Sequence, residues 1–600
     1  MGAKKLRSKL SVSTYKRPKI FIIITMIFIN IIILLVAAFI ALMIDDAFTS
    51  YLDALANGSV KWLLTPNAIL EIDHAPTLFL AVVILLVGIV LFSGTIIALT
   101  TNAIRDYFSK KESSTGKIYL ENHIIILNYN AKVPELIADL LYVESKKITL
   151  ILLSNEPKYS VEKQVINAIK QKHPKEKLSK LNLLIKQGDP LLKQELLDIS
   201  VHEASAILIM NKDHTKSDTE GLNESDLNVV KIVLGLGTLS LKNNPTIVAE
   251  VKHIHTKAKI LTMAQVVKGL NSYTIIPICF DRRLGQIIAQ TIIESKMEDI
   301  YLSLFSFEGS EVYFVEHETI DSYLNHYSHG IPLAFNHEGV FVLSKTNQTK
   351  TIKSIKEVGI KNLKIRSLKE QAEESIYIIG KNNKYDFIQE SFDAYEALHK
   401  SRFESKYVES LDSLKTVIDD LNQTDKKATL LLLSNDATTQ DLLDANVINT
   451  LIYIESHLKR KDIQVIVELL DPKNDYLIKD FSIKNTIISN KIISLLLSKL
   501  ALFPETALFY EDLLTIAPSQ SGKDDYAITV KNAALVINEA FPLTFNSMKE
   551  AIKSYYESTK KTMMLLGIFK EEVLTIFEGN LENSKPITIE RNDDLILMKL

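Results

Sequence analysis

Thr149–Glu156 reads TLILLSNE and Thr429–Asp436 reads TLLLLSND, nearly the same phrase twice in one chain. Outward from the first copy the pattern is regular. His123–Leu127 (HIIIL) reads as a strand, Pro134–Tyr142 (PELIADLLY) as a helix and Ile148–Leu153 (ITLILL) as a strand. Leu181–Ile185, Ala206–Met210 (AILIM) and Thr246–Val251 (TIVAEV) add strands, with helices at Leu191–Leu197 and Leu227–Leu236. Continuous apolar strands separated by helices predict a parallel sheet covered on both faces, a Rossmann-like, doubly wound α/β domain.

The second copy repeats the order. Ser375–Gly380 (SIYIIG) answers HIIIL, TLLLLSND answers TLILLSNE, and Leu451–Ile454 (LIYI) answers AILIM. Gln464–Leu469 (QVIVEL) answers TIVAEV. Asn485–Ser489 (NTIIS) answers Ser272–Pro277 (SYTIIP), which leads into a helix from Asp281. A period far longer than the roughly 20–50 residues of a solenoid unit means two copies of a domain. They occupy 122–370 and 371–600, each with a β-rich segment (Tyr301–Leu343 and Phe569–Lys599) that forms a small C-terminal lobe.

The start of the chain is different. Ile20–Ile44 and Thr77–Ile104 carry no charge until Arg105, and each exceeds the roughly 20 apolar residues that cross a bilayer. The first is too long for a signal-peptide core, and no small-residue cleavage site follows it. Lys4, Lys5, Arg7, Lys9, Lys16, Arg17 and Lys19 precede span one, while Arg105, Lys110 and Lys111 follow span two. The segment between offers only Lys61 against Asp45, Asp46, Asp53, Glu71 and Asp73. Both termini are therefore expected in the cytoplasm. The layout is a basic N-terminus at 1–19, a membrane domain at 20–104 with spans 20–44 and 77–104 around a 45–75 segment, and a 105–121 linker.

Ala47–Ala56 (AFTSYLDALA) is helix-like, Asn57-Gly58 breaks the pattern, and Val60–Leu64 (VKWLL) runs into Thr65-Pro66-Asn67. Two readings fit. One is a re-entrant pore helix with a narrow filter around Trp62, Thr65, Pro66 and Asn67. The other is an interfacial loop anchored by Trp62, the only tryptophan. No TVGYG-like run occurs, which excludes the potassium-channel carbonyl ladder. In span two, Gly88 and Gly94 read as helix-contact positions, with Gly94 also a candidate hinge. Thr100, Thr101 and Asn102 read as a polar inner mouth or as a helix end satisfying its own carbonyls. Two spans cannot enclose a path alone, so a pore requires several chains around an axis.

The tail offers few ligand signals. The G-x-G-x-x-G fingerprint is missing. The turn reads Asn128-Tyr129-Asn130-Ala131-Lys132 in copy one and Gly380-Lys381-Asn382-Asn383-Lys384 in copy two, so nucleotide is not the expected cofactor. The nucleotide candidates are Asn128, Asn130 and Gly380, with Glu156 and Asp436 placed either to hold a ribose or to cap a helix. Asp213, Asp218, Glu220, Glu224 and Asp226 crowd one loop, hard oxygen donors of the kind calcium prefers, or else a solvated acidic loop. Glu250 and Glu468 close equivalent strands, where ligands of such sheets bind.

These features together resemble the CASTOR/POLLUX ion channels, particularly short prokaryotic relatives, within the RCK-gated channels. HIIILNYNAKVPELIADLL (123–141) resembles the family's H-x-x-I-L-G-W-x-x-K opening. KQGDPLLKQELLDISVHEASAILIM (186–210) and SDLNVVKIVLGL (225–236) resemble the runs that follow it, and LLTPNAI (63–69) resembles the pore segment L-L-D-P. The resemblance covers about 20–340 well; the second copy shares only the architecture. Asn128-Tyr129 stand where the family has Gly-Trp, and Thr65 stands where it has an acid. The resemblance implies a two-span pore domain in a prokaryotic plasma membrane, tandem RCK domains, a homotetramer, permeant cations and a gating ring whose leading ligand is calcium.

A net charge of −3 from 69 basic and 72 acidic residues gives no nucleic-acid footprint. One cysteine, Cys279, excludes an internal disulfide. No nucleophile–base set, metal motif or phosphate loop points to an enzyme. The expected function is a ligand-gated cation channel; the alternative is a membrane-tethered subunit that gates a separate transporter.

Overall fold

The computed structural model describes residues 18–88, 100–101, 116–141, 148–172, 181–212, 224–294, 296–307, 309–350, 358–366, 373–399, 401–434, 440–471, 474–479, 481, 485–516 and 527–600. The chain forms two compact units, Met1–Ser114 and Thr115–Leu600.

In the first unit a helix runs over Pro18–Ile44 and another over Ala75–Gly88. Among the described residues no single helix is long and apolar enough to cross a membrane. Between them the backbone is helical over Tyr51–Asp53, Ala54–Val60 and Lys61–Leu64, the middle piece being π-helix. Ser50 caps the start by accepting from the Asp53 amide. Asn57-Gly58 therefore does not end the helix, contrary to the sequence reading. The π-turn absorbs Gly58, where a Cβ would lie 3.3 Å from the Phe48 ring. Thr65-Pro66 ends it, and a 3-10 helix follows over Pro66–Glu71. Tyr51 and Ser59 donate to the Leu35 and Leu34 carbonyls of the first helix, both at 3.0 Å.

The second unit holds the duplication. In copy one, β1 (His123–Leu127), β2 (Ile148–Ser154), β3 (Leu181–Gln187), β4 (Ala204–Ile209), β5 (Thr246–Val251) and β6 (Ile275–Cys279) form a parallel sheet ordered β3-β2-β1-β4-β5-β6. A three-stranded antiparallel lobe follows, with β7 (Glu311–Glu316), β8 (Ile331–Phe335) and β9 (Gly339–Ser344) ordered β7-β9-β8. Tyr301, which the sequence reading put in that β segment, lies in the helix Met297–Phe305.

In copy two, β10 (Glu373–Ile379), β11 (Arg402–Val408), β12 (Ala428–Leu432), β13 (Gln464–Leu469) and β14 (Asn485–Ile488) are ordered β11-β10-β12-β13-β14, again parallel. Its lobe starts well before Phe569. It contains β15 (Ile528–Asn532), β16 (Leu543–Phe545), β17 (Met563–Lys570), β18 (Val573–Ile576), β19 (Ile587–Ile589) and β20 (Asp594–Lys599).

The strand orders correct the alignment of the copies. TLILL is β2, outboard of β1, whereas TLLLL is β12, in the slot that AILIM fills as β4. LIYI is not a strand but part of the helix Gln440–His457. The true counterpart of β2 is β11, RFESKYV, an edge strand with Arg402, Glu404, Lys406 and Tyr407 exposed. A continuous apolar run announces a strand buried on both faces; it does not say which interior slot the strand takes.

The two copies exchange helices. Phe280–Ile293, which follows β6 of copy one, packs on Tyr385–Leu398 of copy two. Ser489–Leu502, which follows β14 of copy two, packs on Val133–Leu140 of copy one. Ser494 donates to the Lys132 carbonyl at 2.9 Å and Ser498 to the Asp139 carboxylate at 3.1 Å. Lys499 forms an ion pair with Glu311 and lies 4.1 Å from the Phe307 ring centre. The largest apolar core is consequently shared, running from Ile126 and Leu136 to Ile378, Leu496 and Leu566.

Gly285 sits at this contact. An added Cβ would lie 2.7 Å from the Phe387 Cβ and 2.9 Å from the Lys384 carbonyl oxygen. Alanine ordinarily stabilises a helix interior by about 1 kcal/mol over glycine. Gly285→Ala should instead destabilise the chain, by about 1–3 kcal/mol of overpacking. Gly235→Ala, with nothing within 4 Å, should stabilise it. Urea midpoints of the two variants shifting in the same direction would contradict the exchanged-helix contact.

Candidate functional site

The turn after the first strand sits at the point where each sheet reverses its strand order, the place where such folds bind ligands. In copy one Asn128 takes a left-handed conformation at φ 69°, and in copy two Gly380 does so at φ 86°. Asparagine tolerates that region better than most residues, so the backbone path of a glycine survives in copy one. The side chain is used internally: Asn128 donates to the Met210 carbonyl and to Asn228, both at 3.0 Å.

Two residues further on, the copies share one network. Asn130 donates to the Asn211 carbonyl and to Glu250, both at 2.8 Å, while its own oxygen accepts from the Lys132 amide at 3.0 Å. Lys132 Nζ meets Glu250 at 3.1 Å and lies 4.5 Å from the Phe280 ring centre. In copy two Asn382 donates to Ser434 O at 2.9 Å and to Glu468 at 3.0 Å, and accepts from the Lys384 amide at 3.0 Å. Lys384 Nζ meets Glu468 at 3.1 Å and Asp281 of the exchanged helix at 3.8 Å. Ser489 donates to Glu468 at 2.6 Å. Glu250 and Glu468 are both fully buried. They meet separate lysines in separate sheets instead of a common ligand space.

Asp226 and Asp444 form a third matched pair. Asp226 accepts from the Lys252 and His253 amides at 2.8 and 3.1 Å and from Asn211 at 2.7 Å. Asp444 accepts from the Leu470 and Asp471 amides at 2.9 and 3.0 Å. Both hold the turn that leaves the fifth strand slot. Glu224 is exposed in the first turn of its helix; Asp213, Asp218, Glu220, Asp436, Gly94 and Asn102 lie outside the described residues. Among the described residues no group of three or more His, Cys, Asp and Glu could hold a metal ion.

A cavity of about 360 Å³ opens at this edge of copy one, lined by Asn128, Tyr129, Asn130, Ala131, Ser154, Asn155, Glu156, Gln164 and Lys212. That is near the lower end of small-ligand sites, roughly 300–1,000 Å³. Ser154 is buried and its hydroxyl has no partner among the described residues. Glu156 is exposed at the end of β2. The turn carries Asn128 and Tyr129 where a pyrophosphate-binding turn has glycines. An acid and an unmet hydroxyl suit a polar, ribose-like group better.

In the first unit Thr65, Pro66 and Asn67 are exposed together at the helix break. Trp62 is not with them: it is 3% exposed and packs edge-on against Phe48 at 6.0 Å. A Cβ on Gly88 would lie 2.0 Å from Leu63, so that glycine is a helix-contact position. Thr100 and Thr101 are helical and exposed.

Sequence reasoning missed the lysines. The signal was present: Asn130-Ala131-Lys132 and Asn382-Asn383-Lys384 repeat N-x-K at the same distance from the first strand.

No family model matches the chain. Among curated proteins it is similar to the probable ion channel POLLUX of Arabidopsis thaliana, 21% identical over 239 residues, which is 39% of this chain and 27% of that protein. It is also similar to the ion channel DMI1 of Medicago truncatula, 19% identical over 241 residues, 40% of this chain and 25% of that protein. The matched region thus spans about a quarter of the length of these relatives. Among solved structures the human SLO3 gating ring aligns with a TM-score of 0.50 at 11% identity, over 80% of this chain and 99% of that one. The GsuK channel bound to NAD aligns over 97% of both chains at 12% identity with a TM-score of 0.39, a similarity too loose to inform on ligands. Over the matched region the chain is similar to POLLUX-type ion channels, and its tail shares the fold of a gating ring; the curated relatives it matches are ion channels, not enzymes.

The buried pairs make a pH-dependent prediction. Burial acts to raise the Glu468 carboxyl, but the Lys384 charge, with hydrogen bonds from Ser489, Lys384 and the Ser434 amide, outweighs it and holds the group below its ordinary value of 4.5. A depressed carboxyl stabilises the fold fully above that value and loses its contribution as pH falls through the native one. Lys384→Met should cost about 3–5 kcal/mol, and adding Glu468→Met should restore most of it. In urea titrations the deficit of Lys384→Met should shrink below pH 4.5. A deficit independent of pH would contradict the pairing.

Proposed function

We propose that this CASTOR/POLLUX-like chain is the subunit of a ligand-gated cation channel, in which cytoplasmic RCK domains sense a ligand and open or close a pore formed by several copies. The observation that carries this reading is the tail: two α/β copies joined by exchanged helices in a gating-ring fold. A ligand shifts such a ring only through unequal affinity for its two shapes. The reading places the chain in a prokaryotic plasma membrane with both termini cytoplasmic, and assembles it as a homotetramer.

For selectivity we propose the exposed Thr65-Pro66-Asn67 break, with Thr100 and Thr101 towards the inner mouth. Trp62, buried against Phe48, would brace the segment. Calcium is the proposed ligand on the acid-rich stretch from Asp213 to Glu224, since Asp226 already holds the turn after β5. The crevice of copy one supports a second ligand class, a small ribose-bearing molecule, because Ser154 leaves a donor unmet beside Glu156.

Flux through the full chain in liposomes, with and without calcium, tests the reading. Cation flux that calcium changes several-fold is expected, and Thr65→Asp should raise the preference for divalent over monovalent cations. No flux under either condition, with the protein correctly inserted, would favour a tethered subunit that gates a separate transporter. Unchanged ion preference in Thr65→Asp would remove the filter from this segment.

A further inference from the structure

We infer that a cavity of about 740 Å³ between the two copies is a binding site for an amphipathic anion, an apolar chain ending in a single anionic head. It is distinct from the strand-edge crevice and from the acid-rich loop, and its occupancy does not depend on the channel reading. Its walls come from the end of the exchanged helix Phe280–Ile293, from the end of Tyr385–Leu398 and from the second lobe.

The apolar part of the lining includes Ile293, Met297, Leu398, Leu513, Val536 and Met563. Such a wall gains by covering hydrocarbon and gives a small inorganic ion nothing to bind. The charge at its rim is one-sided. Glu294 is committed, accepting from the Val530 amide at 2.5 Å and from Lys531 at 2.7 Å. Arg366, Lys560 and Lys599 also line the cavity, and none has an acidic partner among the described residues. Arg366 donates only to the neutral Asn538 oxygen, at 3.2 Å from Nε and 2.7 Å from Nη2. That leaves further guanidinium donors for an anionic head.

Tyr555 adds an independent sign. It lines the cavity, its side chain is 1% exposed, and its hydroxyl has no hydrogen-bond partner among the described residues. Buried hydroxyls are nearly always satisfied, and an acceptor in this wall would meet it. Because the walls belong to both copies, an occupant bridges them at the contact that holds them together.

The test uses the full chain in lipid nanodiscs with radiolabelled decanoate, subtracting empty nanodiscs. Saturable binding of one decanoate per chain is expected. Arg366→Gln with Lys560→Gln, both at exposed positions, should weaken it by at least about tenfold, while Arg366→Lys with Lys560→Arg should retain it. Leu398→Trp, at a position 39% exposed, should fill the cavity and abolish binding without lowering the melting temperature. Decanol binding as tightly as decanoate would overturn the anionic head, and inorganic phosphate displacing decanoate at equal concentration would overturn the apolar body. Absence of saturable binding, or equal binding by the charge-removed pair, would overturn the site.

Discussion

Reciprocal burial of two helices is the constraint on which the tail depends. Ser489–Leu502 is buried along almost its whole length, from Ile492 to Ala501 on every face. A helix apolar all round must be enclosed. Here the enclosure comes from copy one, through Val133–Leu140, with Ser494 and Ser498 satisfied by groups of copy one. The return exchange, Phe280–Ile293 against Tyr385–Leu398, closes as tightly as a glycine permits. Neither copy can present its crossover helix to water without exposing a large share of the common core, so the copies form one compact unit.

The lysine networks join that exchange to the strand edges. Lys384 lies between Glu468 of its own sheet and Asp281 of the other copy's helix, while the Lys132 carbonyl accepts from Ser494. Each network thus touches both a strand edge and the helix that arrives from the other copy. Removing one partner from such a pair strands a buried charge, which makes the geometry of the two edges mutually dependent. Under the proposed function, a ligand at either edge would act through this shared geometry.

Much of this was legible in the residues. HIIIL, TIVAEV, QVIVEL and NTIIS each carry a run of apolar, mostly β-branched residues because both faces of the sheet are covered, and they form β1, β5, β13 and β14. RFESKYV is hard to read as a strand because an edge strand leaves charged residues exposed and looks like a polar segment. The resemblance of TLLLLSND to TLILLSNE reflects shared burial, whereas the slot of each strand is decided by the connections around it. The site was harder. Glu250 and Glu468 were rightly found at equivalent strand ends, but their partners come from turns more than a hundred residues away in copy one and more than eighty in copy two. The repeated N-x-K carried the answer only once the acids were known to be buried. Tyr555 and Arg366 lie almost two hundred residues apart and meet where the segment 358–366 bonds to the second lobe, which no local pattern announces.

Under the proposed function, this compact tandem unit is one part of a gating ring that acts on a pore built by several chains. Cryo-electron microscopy of the full chain in lipid nanodiscs tests it most directly. Four chains around one axis are expected, with the exchanged helices Phe280–Ile293 and Ser489–Leu502 packed within each chain and a continuous axial path bordered by Thr65–Asn67. Particles containing one or two chains, or a four-fold assembly with no axial lumen, would contradict it.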